Sequence, residues 1–157
     1  MGSRLFLLLL AVSLAACATS RHTLSESKSG LIEMRSTFDV AETTSRLQAA
    51  LDKAGMTQFA VIDHAAGAQS VGLPLGPTRV VIFGNPKAGT PLMQCAQTVG
   101  IDLPMKALIY ENAQGEVWYV YNDPVYLASR HAIEGCDAVI EKVSGALSKF
   151  ASAATGG

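Results

Sequence analysis

The chain has 157 residues, with 12 Lys and Arg against 13 Asp and Glu, 49% hydrophobic and 16% charged residues, and a mean hydropathy of +0.28. That length suits one domain. The weakly acidic balance, with no basic block, argues against a nucleic-acid footprint, and the apolar share excludes a disordered chain.

Part of the apolar share is local. Residues 5–16, LFLLLLAVSLAA, are apolar at every position but Ser13 and follow a single basic residue, Arg4. Without residues 1–16 the hydrophobic fraction falls to roughly 46%, an ordinary globular value. The run is shorter than the ~20 apolar residues a membrane-spanning helix needs, so residues 1–16 read as an export signal peptide. The segment Leu14-Ala15-Ala16-Cys17 closely resembles the lipobox of bacterial lipoproteins. The resemblance implies diacylglycerol on the Cys17 thiol, cleavage just before it and acylation (palmitate or a similar chain) of the new N-terminus. Two or more acyl chains make a stable membrane anchor where one is marginal. In that family a residue other than Asp after the Cys permits outer-membrane sorting, and Ala18 allows it, so the resemblance implies a lipid-anchored protein of the bacterial envelope, on the periplasmic face of the outer membrane in a Gram-negative cell. An ordinary signal peptide cut near Ala16, leaving a soluble protein, is the alternative. Residues 17–30 are polar and Ser/Thr-rich and read as a lipidated Cys with a flexible tether, in which His22 is a solvated linker residue.

The folded domain is expected over residues 31–150. Residues 31–38 suit a first strand. Asp39 and Glu42 resemble a capping box, and Val40, Thr44, Leu47, Leu51 and Ala54 recur at helical spacing before Gly55. Residues 57–63 and 78–83 read as two strands joined by a Gly/Pro-containing connection, Gly67 to Pro77. Thr90 is placed to cap a helix beginning at Pro91, where a missing N–H costs nothing. In that helix Leu92, Cys95, Ala96 and Val99 share a face and Gly100 is the stop. Strands over 105–111 and 116–121 follow, turning at Asn112–Gly115. Asp123-Pro124 opens a last helical region with the stripe Ile133, Cys136, Ile140, Val143, Leu147 and Phe150, which Gly135 divides; residues 151–157 read as a frayed tail. The order βα-ββ-α-ββ-α predicts a single α+β domain with a mainly antiparallel sheet packed with helices.

The run Gly84–Thr90, GNPKAGT, has two glycines five residues apart, like a nucleotide-binding loop. It lacks the Lys after the second Gly: Thr90 stands there, and Lys87 sits inside the loop. A tight strand-to-helix turn is the better reading. The set Ile62-Asp63-His64, Phe83-Gly84-Asn85-Pro86 with Gly89-Thr90 and Met93, Asp102-Leu103-Pro104 and Tyr121 resembles the bacterial and archaeal domain of unknown function 302 over about residues 31–150. The resemblance implies a compact α+β domain and a homodimer, and no established reaction.

His64 ends a strand and is a candidate general base. Its neighbour Asp63 points to the opposite face, so Asp102 is the carboxylate expected to orient it. His64, Asn85, Thr90, Met93, Asp102 and Tyr121 form the candidate ligand site, with His64 and Asp102 the candidate catalytic pair. His64, His131, Met93 and Cys95 have no recognised ligand spacing, and neither a metal nor a cofactor is expected. Cys95 and Cys136 fall on apolar helical faces and are expected as buried free thiols, a disulfide being the alternative. Trp118, Tyr119, Tyr121 and Tyr126 concentrate near one hairpin; alternation puts Tyr119 and Tyr121 on one face and Trp118 on the other, which suits a core on one side and a partner subunit on the other. The leading expectation is an envelope lipoprotein that binds a small ligand without catalysis. A small hydrolase-like acid/base enzyme using His64 with Asp102 and a purely structural dimeric lipoprotein are the alternatives.

Overall fold

The computed structural model describes residues 28–157. The signal peptide, Cys17 and most of the tether lie outside the described residues. Five strands, β1 (Leu31–Arg35), β2 (Thr57–Asp63), β3 (Thr78–Gly84), β4 (Met105–Glu111) and β5 (Val117–Asn122), form one antiparallel sheet in the order β1-β5-β4-β3-β2. The helices are α1 (Val40–Lys53), α2 (His64–Ser70), α3 (Pro86–Cys95), α4 (Pro124–Arg130) and α5 (Asp137–Thr155), with a 3-10 turn over Gln97–Ile101. The expected α+β domain with an antiparallel sheet is what the chain forms.

The period-two pattern decides which sheet face meets the helices. Ile32, Met34, Val81, Phe83, Met105, Ala107, Ile109, Val117, Tyr119 and Tyr121 point one way and join the core with Leu47 and Leu51 of α1 and Ile140, Leu147 and Phe150 of α5. Val80, Ile82, Leu108, Tyr110 and Trp118 point the other way and are half-buried. Asp39 caps α1 as its sequence signature predicts, its carboxylate accepting the Glu42 N–H at 2.7 Å, and Gly55 takes φ +64° just beyond the helix. Asp123 caps α4 in the same way through the Val125 N–H.

Several expectations need correction. The first residues of the expected Gly67–Pro77 connection belong to α2, which is capped by the Asp63 carboxylate at 2.9 Å from the Ala66 N–H; α2 buries no residue, so it leaves no apolar stripe in the sequence. The helix expected from Pro91 begins five residues earlier, at Pro86. Asn85-Pro86 obeys the same cap-then-proline rule as Thr90-Pro91, and the Asn85 side chain takes the Lys87 N–H at 2.9 Å, leaving Pro91 inside α3. Residues 151–155 are no frayed tail. They continue α5 with Ala151, Ala154 and Thr155 buried, and the Thr155 carbonyl accepts from both the Thr37 N–H and the Thr37 hydroxyl.

The cysteines also differ from expectation. Cys95 and Cys136 are bonded as a disulfide, with Cα atoms 6.6 Å apart. Cys136 lies at the N-cap of α5 rather than on its apolar stripe, because Gly135 takes φ +71° and ends the preceding turn. That position delivers its sulfur to the last residue of α3.

Candidate functional site

A cleft of about 600 Å³ lies between α3 and α5, over the end of the sheet where β3 stops and β4 starts. Phe83 and Phe150, edge to face at 5.9 Å, form part of its floor, and Leu92, Leu103, Val143 and Leu147 line its walls. The volume falls in the range typical of small-molecule sites. Its lining is overwhelmingly apolar. The charged side chains among the lining residues are Lys87 and Lys142, both exposed, and no acidic residue lines the cleft. The Cys95–Cys136 bond links the end of α3 to the start of α5, so it fastens together the two helices that make the walls.

The sequence-predicted site residues divide into two groups. Asn85, Thr90 and Met93 line the cleft. Asn85 is committed to capping α3, while Thr90 and Met93 are exposed at its wall. His64, Asp102 and Tyr121 do not line it. His64 opens α2 beyond the Asp63–Arg79–Ile109 end of the sheet, whereas Asp102 precedes β4 beyond the Thr57–Gly84 end. A seven-residue strand separates those ends by about 20 Å, so the expected His64–Asp102 pair does not form. Asp102 instead serves His131: Asp102 Oδ2 lies 2.6 Å from His131 Nε2, Thr98 Oγ1 lies 3.1 Å from His131 Nδ1, and Arg130 Nη1 lies 3.5 Å from Asp102 Oδ1. Tyr121 is buried against Tyr119 in the sheet, with ring centroids 5.9 Å apart. Burial, and then the Asp123 carboxylate, push its phenol above the ordinary tyrosine range.

Sequence reasoning did not single out Lys142 or Phe150 as cleft residues. Lys142 sits one residue before Val143 on α5, where periodicity marks only a solvated flank. Cleft membership follows from where α3 crosses α5, a long-range fact. Among the described residues no three His, Cys, Asp or Glu side chains gather into a metal-holding group.

The model of the family described as "Domain of unknown function DUF302" matches residues 32–150. The chain belongs to the DUF302 family. A crystal structure titled "uncharacterized conserved protein DUF302 from Bacillus stearothermophilus" superposes with a TM-score of 0.72 over 80% of this chain and 98% of that one, at 17% identity, so the DUF302 fold is shared. Over 105 residues, 67% of the chain, this DUF302 protein is 49% identical to proteins named "Fluoride-specific ion channel FluC 1" of Brucella suis and "Fluoride-specific ion channel FluC 2" of Brucella melitensis. The match covers 41% and 39% of those proteins, so the chain spans about two fifths of the curated relatives' length. No helix among the described residues is long and apolar enough to cross a membrane.

Proposed function

We propose that this DUF302 protein is an envelope lipoprotein, anchored through Cys17, whose α3–α5 cleft binds a small apolar ligand without catalysing a reaction. The observation that carries the reading is the cleft itself: about 600 Å³, lined by aromatic and aliphatic side chains, with its lysines at exposed positions. A groove of this composition gains affinity by removing an apolar ligand from water. The extracytoplasmic setting draws support from the lipobox resemblance and from the disulfide, a bond favoured by oxidising compartments. Kinship with part of proteins named as ion channels supports a domain that works beside a membrane. The test is a thermal-shift panel of chemically diverse small molecules on the wild type and on Ala146→Trp, which fills the cleft from α5. Ligand-dependent stabilisation lost in the variant is expected; stabilisation identical in both, or absent throughout, removes the site. Labelling with a radioactive fatty acid that disappears in Cys17→Ser checks the anchor.

The homodimer draws on the edge strand β2. Val61 and Ile62 are 43% and 42% exposed there, and the half-buried apolar residues Val80, Ile82, Leu108 and Trp118 continue from Ile62 across that face. Light scattering of the wild type and of Ile62→Lys tests it: a dimer that the substitution splits is expected, and a wild-type monomer ends the idea. An acid/base enzyme is the second reading, moved from His64 to His131, because a hydroxyl, an imidazole and a carboxylate lie in series at Thr98, His131 and Asp102. Esterase activity lost in both His131→Ala and Thr98→Val would favour it over the binding reading.

A further inference from the structure

The lining of the cleft carries a charge pattern as well as an apolar one. Phe59, Phe83, Leu92, Leu147 and Phe150 supply a surface with little to offer a polar ligand, and the side-chain oxygen of Asn85 beside them accepts the Lys87 N–H. Lys87, on the first turn of α3, and Lys142, on the second turn of α5, stand on the two walls. Neither has an ion-pair partner among the described residues. Lys142 also borders a second hollow over α5, of about 620 Å³, where Lys142 and Lys149 outnumber Glu141. An occupant with an apolar body and an anionic end satisfies both features at once. A neutral hydrocarbon gains nothing from the lysines, which stay solvated, and a purely polar anion leaves the floor wet. A volume of about 600 Å³ is the size of a site for one small molecule, which argues for one chain rather than a two-chain lipid.

We propose that the cleft takes a single-chain amphiphile with an anionic head, a free long-chain carboxylate, its chain on the Phe83–Phe150 floor and its head between Lys87 and Lys142. This inference rests on the binding reading of the cleft. Each buried methylene is worth about fourfold in affinity. Each exposed lysine–carboxylate pair is worth about two- to fivefold, screened by salt.

The experiment is calorimetric titration of the chain from residue 17 onward with Cys17→Ser, which keeps every residue of the described fold. The probes are dodecanoate, decanoate and dodecanol at concentrations below micelle formation. Dodecanoate is expected to bind about tenfold or more tightly than decanoate and several-fold more tightly than dodecanol, with the second margin shrinking at high salt. The double variant Lys87→Gln/Lys142→Gln is expected to bring dodecanoate and dodecanol to parity, and Ala146→Trp to abolish both; circular dichroism checks that each variant is folded. Equal wild-type affinity for acid and alcohol, or a preference that survives the double variant, overturns the anionic head and leaves the cleft reading standing. Failure of all three probes overturns the acyl chain, and the small-molecule panel then decides the cleft on its own. Dodecanoate binding that persists in Ala146→Trp puts the acid elsewhere and overturns the assignment. Co-sedimentation of the wild type, and not of Ala146→Trp, with phosphatidylglycerol vesicles in the absence of any fatty acid overturns the free acid in favour of a bilayer lipid.

Discussion

His131, at the end of α4, holds Asp102, at the start of the β4 approach, through a contact of 2.6 Å between Nε2 and Oδ2. Its other ring nitrogen faces Thr98 in the 3-10 turn, and its side chain is only 7% exposed. The imidazole therefore ties the end of α4 to both ends of the Thr98–Asp102 turn, beside the Leu103 wall of the cleft. His131→Ala leaves the Asp102 carboxylate without this partner and is expected to destabilise the fold by about 1–3 kcal/mol. His64→Ala, at an exposed position, is expected to change stability by less than ~0.5 kcal/mol and to leave cleft binding unaltered. Urea unfolding of the two variants checks the contrast; equal effects would contradict it.

The disulfide closes a loop of 41 residues, worth about 4 kcal/mol in the chain-entropy model. The double variant Cys95→Ser/Cys136→Ser is therefore expected to melt well below the wild type. Because the bond fastens α3 to α5, ligand affinity in the cleft is expected to fall along with stability. Calorimetric melting with and without reductant makes the comparison. A wild type whose melting does not respond to a reductant that demonstrably frees its two thiols contradicts the expectation.

Tyr119 has a phenolic oxygen buried in the core with no hydrogen-bond partner, and burial pushes its ionisation far above the ordinary range. An unpartnered buried hydroxyl is destabilising. Tyr119→Phe keeps the ring and its edge contact with Tyr121 and is expected to stabilise the protein by about 1 kcal/mol, a rise of roughly 4 °C in Tm. Differential scanning calorimetry reads this directly, and a large loss of stability would show that the hydroxyl is needed.

Asp63 carries a pH signature. The Ala66 N–H and then Arg79, whose Nε donates at 3.1 Å, hold its carboxyl below the usual carboxylate range. A lowered folded-state pKa contributes stability that is complete above the unfolded value, about 4, and is lost as pH falls through the folded value. Asp63→Asn is expected to lower the urea midpoint at pH 7 and to leave it nearly unchanged at pH 2. An equal drop at both pH values would assign the effect to something other than the ionised cap.

Local rules read much of this protein correctly because the forces concerned are local. Asp39 and Asp123 cap the helices that follow them, β2 and β4 run over the predicted residues, and alternation separates Tyr119 from Trp118. Where a local rule fits twice, it does not choose. Asn85-Pro86 and Thr90-Pro91 both look like helix starts, and the cap that Asn85 makes decides between them. Helix α2, with no buried face, offers only Asp63 as its signal.

Read along the chain alone, the residues specify the α+β class, the order of most elements and the DUF302 resemblance. Those properties follow from side-chain periodicity and capping, which act over a few residues. Tertiary structure alone decided that Asp102 belongs to His131 rather than His64, that Cys95 meets Cys136, and that Lys87 and Lys142 share one apolar cleft. Each of those pairings joins residues 29 to 55 positions apart, across helices whose packing is set by burial of the whole core. Composition and periodicity carry no term for distances of that kind.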